Sequence, residues 1–211
     1  MKRVRGAGDG GQAAGRRLAA GPALACALGL LAGCGAGAPH VGTTGSGTSY
    51  ESVDGTTTTW AAGHRTGPVE VRGTAFDGTM QDVTAWRGEV VVINTWYAAC
   101  PPCRAESGDL VSLANDLASK GVHVLGIDPV DDAATAQAFA RTFAVPYPSI
   151  KDTDGSAVAA LQGVVPVDAT PTTVVLDRQG DVYSRILGAV DGPTLRALVG
   201  DVLAGPAATA G

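Results

Sequence analysis

The sequence predicts an α/β fold, with helices flanking a mixed β-sheet, and three observations predict it. Apolar runs of strand length alternate with periodic segments of helix length, the pattern of helices packed on a sheet. One run, Val90-Val91-Val92-Ile93, is continuously apolar, as expected of a strand buried on both faces. The patterned region then closes with two strands joined through Asp177–Gly180 and a last helix.

Each element has a local reason. Val69–Ala75 and Thr79–Thr84 flank Asp77-Gly78, a turn pair that supplies the positive φ a tight hairpin needs. Glu89–Thr95 is the buried strand. A helix follows from Pro101 to Lys120, stopped by Gly121. Val122–Ile127 is a second apolar strand. Asp132–Phe143 is a helix whose apolar side is Ala136, Phe139, Ala140 and Phe143. Ser156–Leu161 is a short helix, Thr172–Leu176 and Val182–Leu187 are strands, and Val190–Leu203 is the final helix.

Composition limits the function classes. Of 211 residues, 45% are hydrophobic, enough for a packed core and too many for wholesale disorder. The absence of an uninterrupted apolar run of about eighteen residues excludes a multi-span membrane protein. The net charge is −5, but residues 1–33 hold five basic residues and one acid, so the rest of the chain is more acidic than the total. An acidic body argues against nucleic acid as a partner, because phosphates need a basic surface.

The first 33 residues have the form of a signal peptide. Residues 1–17 are basic and Gly-rich, Leu18–Leu31 is a short apolar run, and Leu31-Ala32-Gly33-Cys34 follows. That tetrapeptide resembles the bacterial lipobox, which implies lipid attachment at Cys34 and cleavage before it. Arg16-Arg17 leaves both the general and the twin-arginine export routes open. Gly6, Gly8 and Gly11 satisfy a dinucleotide-loop pattern, but no strand precedes them and the segment is expected to be removed. Residues 34–66, rich in Gly, Ser and Thr, read as a flexible tether interrupted by Trp60 and His64, which are more often solvated than docked. The folded domain is expected over 67–204, and 205–211 reads as a frayed tail.

Four cysteines separate by position. Cys26 lies in the signal and Cys34 is the lipid site, which leaves Cys100 and Cys103 in the domain. Two intervening residues close too short a loop to stabilise a fold much, so the pair is there for chemistry. It sits between a buried strand and a helix start, where unpaired N–H groups and the helix dipole favour an anion. Pro101 and Pro102 fit the first turn, where a missing N–H is harmless. Cys100 is therefore the expected thiolate, open to other polypeptides, and Cys103 the shielded resolving thiol. A metal reading fails for want of ligands, since zinc needs four and the pair supplies two. His40, His64 and His123 form no second pair, and haem attachment would want His where Arg104 stands. No cofactor and no metal are expected.

Val90–Glu106, VVVINTWYAACPPCRAE, resembles the strand–CxxC–helix segment of the TlpA/ResA-like thiol–disulfide oxidoreductases of the thioredoxin superfamily. Tyr147-Pro148-Ser149-Ile150 with Asp152–Gly155 is similar to that family's insert, and Ala169–Asp177 to its Pro-Thr-Thr strand. Phe76-Asp77-Gly78 and Trp86–Glu89 are similar to its N-terminal hairpin. The resemblance implies a thioredoxin-like fold with an N-terminal β-hairpin and a central insert. It also implies that Pro171 is cis and presents the backbone of Thr170 as an edge for peptide substrates. Trp96 keeps an aromatic of the family and joins Thr170 and Pro171 in the implied substrate-binding set. Glu106 matches the family's helix acid, which joins Cys100 and Cys103 in the catalytic set by relaying protons. Ala99 and Gly108 depart from the pattern, where the family has an aromatic and often a proline.

The expected function is a membrane-tethered thiol–disulfide oxidoreductase on the extracytoplasmic face, lipid-anchored and acting through the CPPC dithiol on cysteine-containing exported proteins. The resemblance favours a reductase, with apocytochrome c among its substrates and a membrane electron donor as partner. A dithiol oxidase stays open, as does a peroxiredoxin-like thiol peroxidase, although Tyr97 stands where that family has Thr. A binding lipoprotein with an idle cysteine pair is the remaining alternative.

Overall fold

A computed structural model of the chain describes residues 43–45, 47–52, 54, 56–166 and 168–205. The expected signal peptide, Cys34 and residues 206–211 lie outside them. The strands are β1 (Thr43–Gly45), β2 (Ser49–Ser52), β3 (Thr57–Trp60), β4 (Arg72–Thr74), β5 (Met80–Asp82), β6 (Val90–Thr95), β7 (Val122–Asp128), β8 (Ser149–Lys151), β9 (Thr172–Leu176) and β10 (Val182–Leu187). The α-helices are α1 (Pro101–Leu117), α2 (Ala133–Phe143), α3 (Ser156–Ala159) and α4 (Gly192–Ala204). Eight strands form one mixed sheet in the order β1-β2-β3-β10-β9-β6-β7-β8, and β4 with β5 forms a separate hairpin. Only β6–β7 and β7–β8 are parallel pairs among the described strands.

The all-apolar run of β6 is explained by its central place. Val91 and Ile93 face one core layer, with Leu125, Val174, Leu176 and the hairpin residues Val71 and Val83. Val90 and Val92 face the other, with Leu110 and Leu113 of α1 and Leu195 and Val199 of α4. Successive side chains of a strand point to opposite faces, so a strand covered on both sides must be apolar throughout.

Helix ends follow the sequence signals. Asp132 and Asp191 cap α2 and α4 by accepting N–H bonds from Thr135 and Thr194, each at 2.8 Å. Gly121, at φ 73°, ends the short 3₁₀ turn after α1.

The tether expectation fails over 43–60. β3 pairs antiparallel with β10, with Thr58 opposite Arg185, and β2 and β1 continue the sheet outward. Thr56–Thr59, inside the expected tether, are all β-branched and suit a half-buried pleated surface. Trp60 packs against the core, beneath the Arg185 guanidinium at 5.8 Å from its ring centroid, while His64 is exposed. The insert supplies a strand, β8, that was not among the expected elements. Among the described residues no helix is long and apolar enough to cross a membrane.

Candidate active site

Strand β6 ends at Thr95, and the chain turns through Trp96–Ala99 into α1, so Cys100 caps that helix. Cys100 and Cys103 are joined in a disulfide, their Cα atoms 5.3 Å apart. Cys103 donates its backbone N–H to Cys100 Sγ at 3.1 Å. When the pair is reduced, the same donor and the N-terminal end of the 17-residue helix favour charge on Cys100 over Cys103.

The expectation that Cys100 stands open to solvent is not met in this oxidised state. The residue is 1% exposed and Cys103 2%. Both belong to an apolar cluster with Trp96, Ala136 and Phe139, and Tyr97 and Ala98 of the entry loop pack against it. Around the buried pair, Ala99, Pro101, Pro102 and Arg104 are exposed. A partner therefore needs the loop to yield before it can reach sulfur.

Glu106 lies one turn beyond Cys103 and is buried, at 2% exposure. Asn94 donates its side-chain amide to Oε1 at 2.8 Å, and Val190 donates its backbone N–H to Oε2 at 2.9 Å. Burial raises the acid to about 7 despite those two donors, with Asp109 adding a smaller push. Near neutrality it can thus give or take a proton. Asn94 also donates to Thr173 on β9 at 3.1 Å, and Ser107 donates to the Cys103 carbonyl at 2.7 Å.

The Thr170–Pro171 bond is cis. Thr172 stands opposite Thr95 across β6 and β9, so Thr170 and Pro171 enter the sheet at the end where the Trp96–Cys100 loop leaves it. Thr172 N–H donates to Thr95 Oγ1 at 2.9 Å, and the Pro171 carbonyl accepts from Gly188 at 2.8 Å. Thr170 itself makes no hydrogen bond with the described residues and is half-buried. Its backbone is the free edge of the site, beside an apolar groove of about 350 Å³ that includes Thr95, Pro129 and Ala169.

Trp96 is buried and tilts against Phe139 with ring centroids 4.4 Å apart. Its indole N–H donates to Ser149 Oγ at 3.2 Å. Gly126 makes this possible, because a Cβ there would meet Trp96 Nε1 at 2.7 Å and Ser149 Oγ closer still. The ring thus separates the cysteine cluster from a second groove, of about 500 Å³, between Phe76, α2 and residues 145–149.

The family described as Redoxin matches residues 61–201. The chain belongs to the Redoxin family. This redoxin is 27% identical over 146 residues to the thiol:disulfide interchange protein HelX of Rhodobacter capsulatus, covering 69% of this chain and 79% of that one. It is 35% identical to the thiol:disulfide interchange protein DsbE of Pseudomonas aeruginosa over 106 residues, 50% of this chain and 54% of that one. The chain thus spans about half the length of that relative. A secreted thiol-disulfide isomerase from Corynebacterium glutamicum superposes with a TM-score of 0.68 at 29% identity, covering 78% of this chain and all of that one. A DsbF homologue from Corynebacterium diphtheriae superposes at 0.63 with 30% identity, covering 69% and 92%. The redoxin is a thiol–disulfide oxidoreductase of the thioredoxin superfamily, with the thioredoxin-like fold the resemblance implied.

Reading the sequence missed Asn94 and Ser107. Asn94 left one trace, as a buried polar residue in a mostly apolar strand. Ser107 left none, because a serine bonded to the carbonyl four residues back on its own helix looks like any other helix serine.

Proposed function

We propose that the protein is a membrane-tethered reductase of disulfides in exported proteins on the extracytoplasmic face, anchored through lipidated Cys34. The carrying observation is the N–H of Cys103 aimed at Cys100 Sγ at the head of α1, with Glu106 buried one turn below. In the reduced protein the Cys100 thiolate attacks a substrate disulfide. A bond forms between Cys100 and one substrate sulfur, and the other sulfur leaves as a thiolate that takes a proton from water. Glu106 accepts the Cys103 proton, Cys103 attacks Cys100 Sγ, and the second substrate thiol is released. The substrate has gained two electrons, and the protein now holds the disulfide seen here. A membrane electron donor returns the two electrons. Thr170, with its free backbone, pairs with the substrate chain beside Pro171, and Trp96 walls the pair from within.

The names of the HelX and DsbE relatives support disulfide interchange, and the TlpA/ResA resemblance favours the reductive direction with apocytochrome c as substrate. The likeness to a secreted isomerase and to a DsbF homologue favours a second reading, oxidation or isomerisation of exported proteins. Equilibration with glutathione decides between them. A reductase has a potential near that of thioredoxin, about −270 mV, and a value near about −120 mV overturns the reductive reading.

A further inference from the structure

Asp128 ends β7 with its side chain fully buried. Its Oδ1 accepts the backbone N–H groups of Val130 and Asp131, at 2.9 and 3.0 Å. Its Oδ2 is also buried and has no donor. The neighbouring Asp131 carboxyl acts on Asp128 through its charge and its hydrogen bonding, and its own Oδ2 accepts the N–H of Ala98 at 2.5 Å. Ala98 belongs to the loop that packs against Cys100. From the other side Arg104 of α1 donates to the Ala98 carbonyl at 3.2 Å, so that one residue is held at both its N–H and its C=O.

A buried oxygen without a donor costs free energy, and two neighbouring carboxylates repel. One proton between the two acids removes both penalties. We propose that Asp128 and Asp131 share a proton and form a positioning pair for disulfide exchange. With the proton present, Asp128 donates to Asp131, Asp131 holds Ala98, and residues 97–99 stay closed against Cys100. When the proton leaves, repulsion drives Asp131 from Ala98, the loop loosens, and the Cys100 sulfur is opened to attack. The device requires the exchange chemistry only, not the reductive direction.

Burial lifts Asp128 to about 6 against the pull of the Asp131 and Val130 N–H groups, with a smaller push from the Asp131 carboxyl, which puts the switch within reach of ordinary changes in acidity. The neighbouring charges are otherwise committed. Asp132 caps α2, with Lys151 of β8 favouring its charge, and Asp152 of the turn after β8 accepts from Ala157 and Val158. Arg104 lies 5.0 Å from the centroid of the Phe143 ring. Glu106 is the other acid that titrates nearby in pH, and it faces Asn94 and Val190 instead.

The test uses the oxidised full chain and a water-soluble phosphine between about pH 4.5 and pH 8, a range that spans the raised value of Asp128. The rate of reduction of Cys100–Cys103 is divided at each pH by the rate for an open-chain disulfide. The expected ratio rises about tenfold through a midpoint near that of Asp128, the effect of making or losing one hydrogen bond to a charged group. Asp128→Asn, whose amide donates to Asp131 as the neutral acid does, stays on the low plateau at every pH. Asp131→Ala, which releases Ala98, stays on the high one. A flat wild-type ratio, a step that survives in Asp128→Asn, or a step abolished by Glu106→Gln overturns the proposal. If Asp131→Ala does not fold, the wild-type and Asp128→Asn profiles decide by themselves.

Discussion

The two ends of β6 were built for different tasks. From Val90 to Ile93 every side chain is apolar and lies in one of two dry core layers. The next two residues, Asn94 and Thr95, are just as buried but polar, and across the sheet they meet Thr173 and Thr172 of β9. Glu106, Ser107 and Asp128 gather at the same end. Burying polar groups costs free energy unless each is partnered, so this end yields stability in exchange for groups that bind and move protons. Within it the two raised acids differ again. Both oxygens of Glu106 have donors, whereas Asp128 has one oxygen with none. A fully partnered acid is held ready to exchange a proton; a half-partnered one depends on keeping it.

The sharpest test of that division is Cys100→Ser. It should reduce catalysed insulin reduction by dithiothreitol to the uncatalysed background, while circular dichroism stays native. At the apolar end Leu125→Ala should do the reverse, costing about 2–5 kcal/mol in urea unfolding while exchange by the folded fraction persists. A comparable loss of activity in folded Leu125→Ala would blur the contrast.

Acidity separates the ends more finely. Glu106 and Asp128 both have folded values raised above their ordinary ones, so each stabilises the fold while protonated. For Glu106 that contribution is complete below its unfolded value of 4.5 and disappears as pH rises through about 7. The loss across this window is on the order of 3 kcal/mol, and the urea midpoint of the oxidised protein should fall accordingly. In Glu106→Gln the fall should shrink to the part due to Asp128, which is complete by a lower pH. A midpoint that climbs over this range would contradict the burial of both acids.

The smallest effect belongs to the outer strands. Thr58→Val removes the hydroxyl that accepts from Arg185 at 3.2 Å and should cost about 1 kcal/mol without changing exchange. No loss at all would mean that β3 adds area to the sheet but no specific support.

How much was legible depended on whether a signal was local. The hairpin at Asp77-Gly78, the strand Val90–Thr95 and the cysteine-capped helix were readable because turn chemistry, apolar runs and capping act over a few neighbouring residues. Glu106 was singled out by its match to the helix acid of the family that the sequence resembles, but its burial was not, because that depends on Asn94 and on Val190, 84 residues along the chain. The Thr-rich segment before residue 61 was misread for the same reason, since a strand of polar β-branched residues becomes visible only when β10 offers it an edge.

By itself, then, the amino-acid order determined an α/β chain with a reactive dithiol at a helix start, since periodicity, proline placement and cysteine spacing are short-range properties. The tertiary structure alone decided that Cys100 is closed off when oxidised, that Glu106 is held protonatable near neutrality, and that Asp131 grips Ala98. Desolvation and like-charge proximity belong to no single residue, and they arise only where distant segments meet out of water.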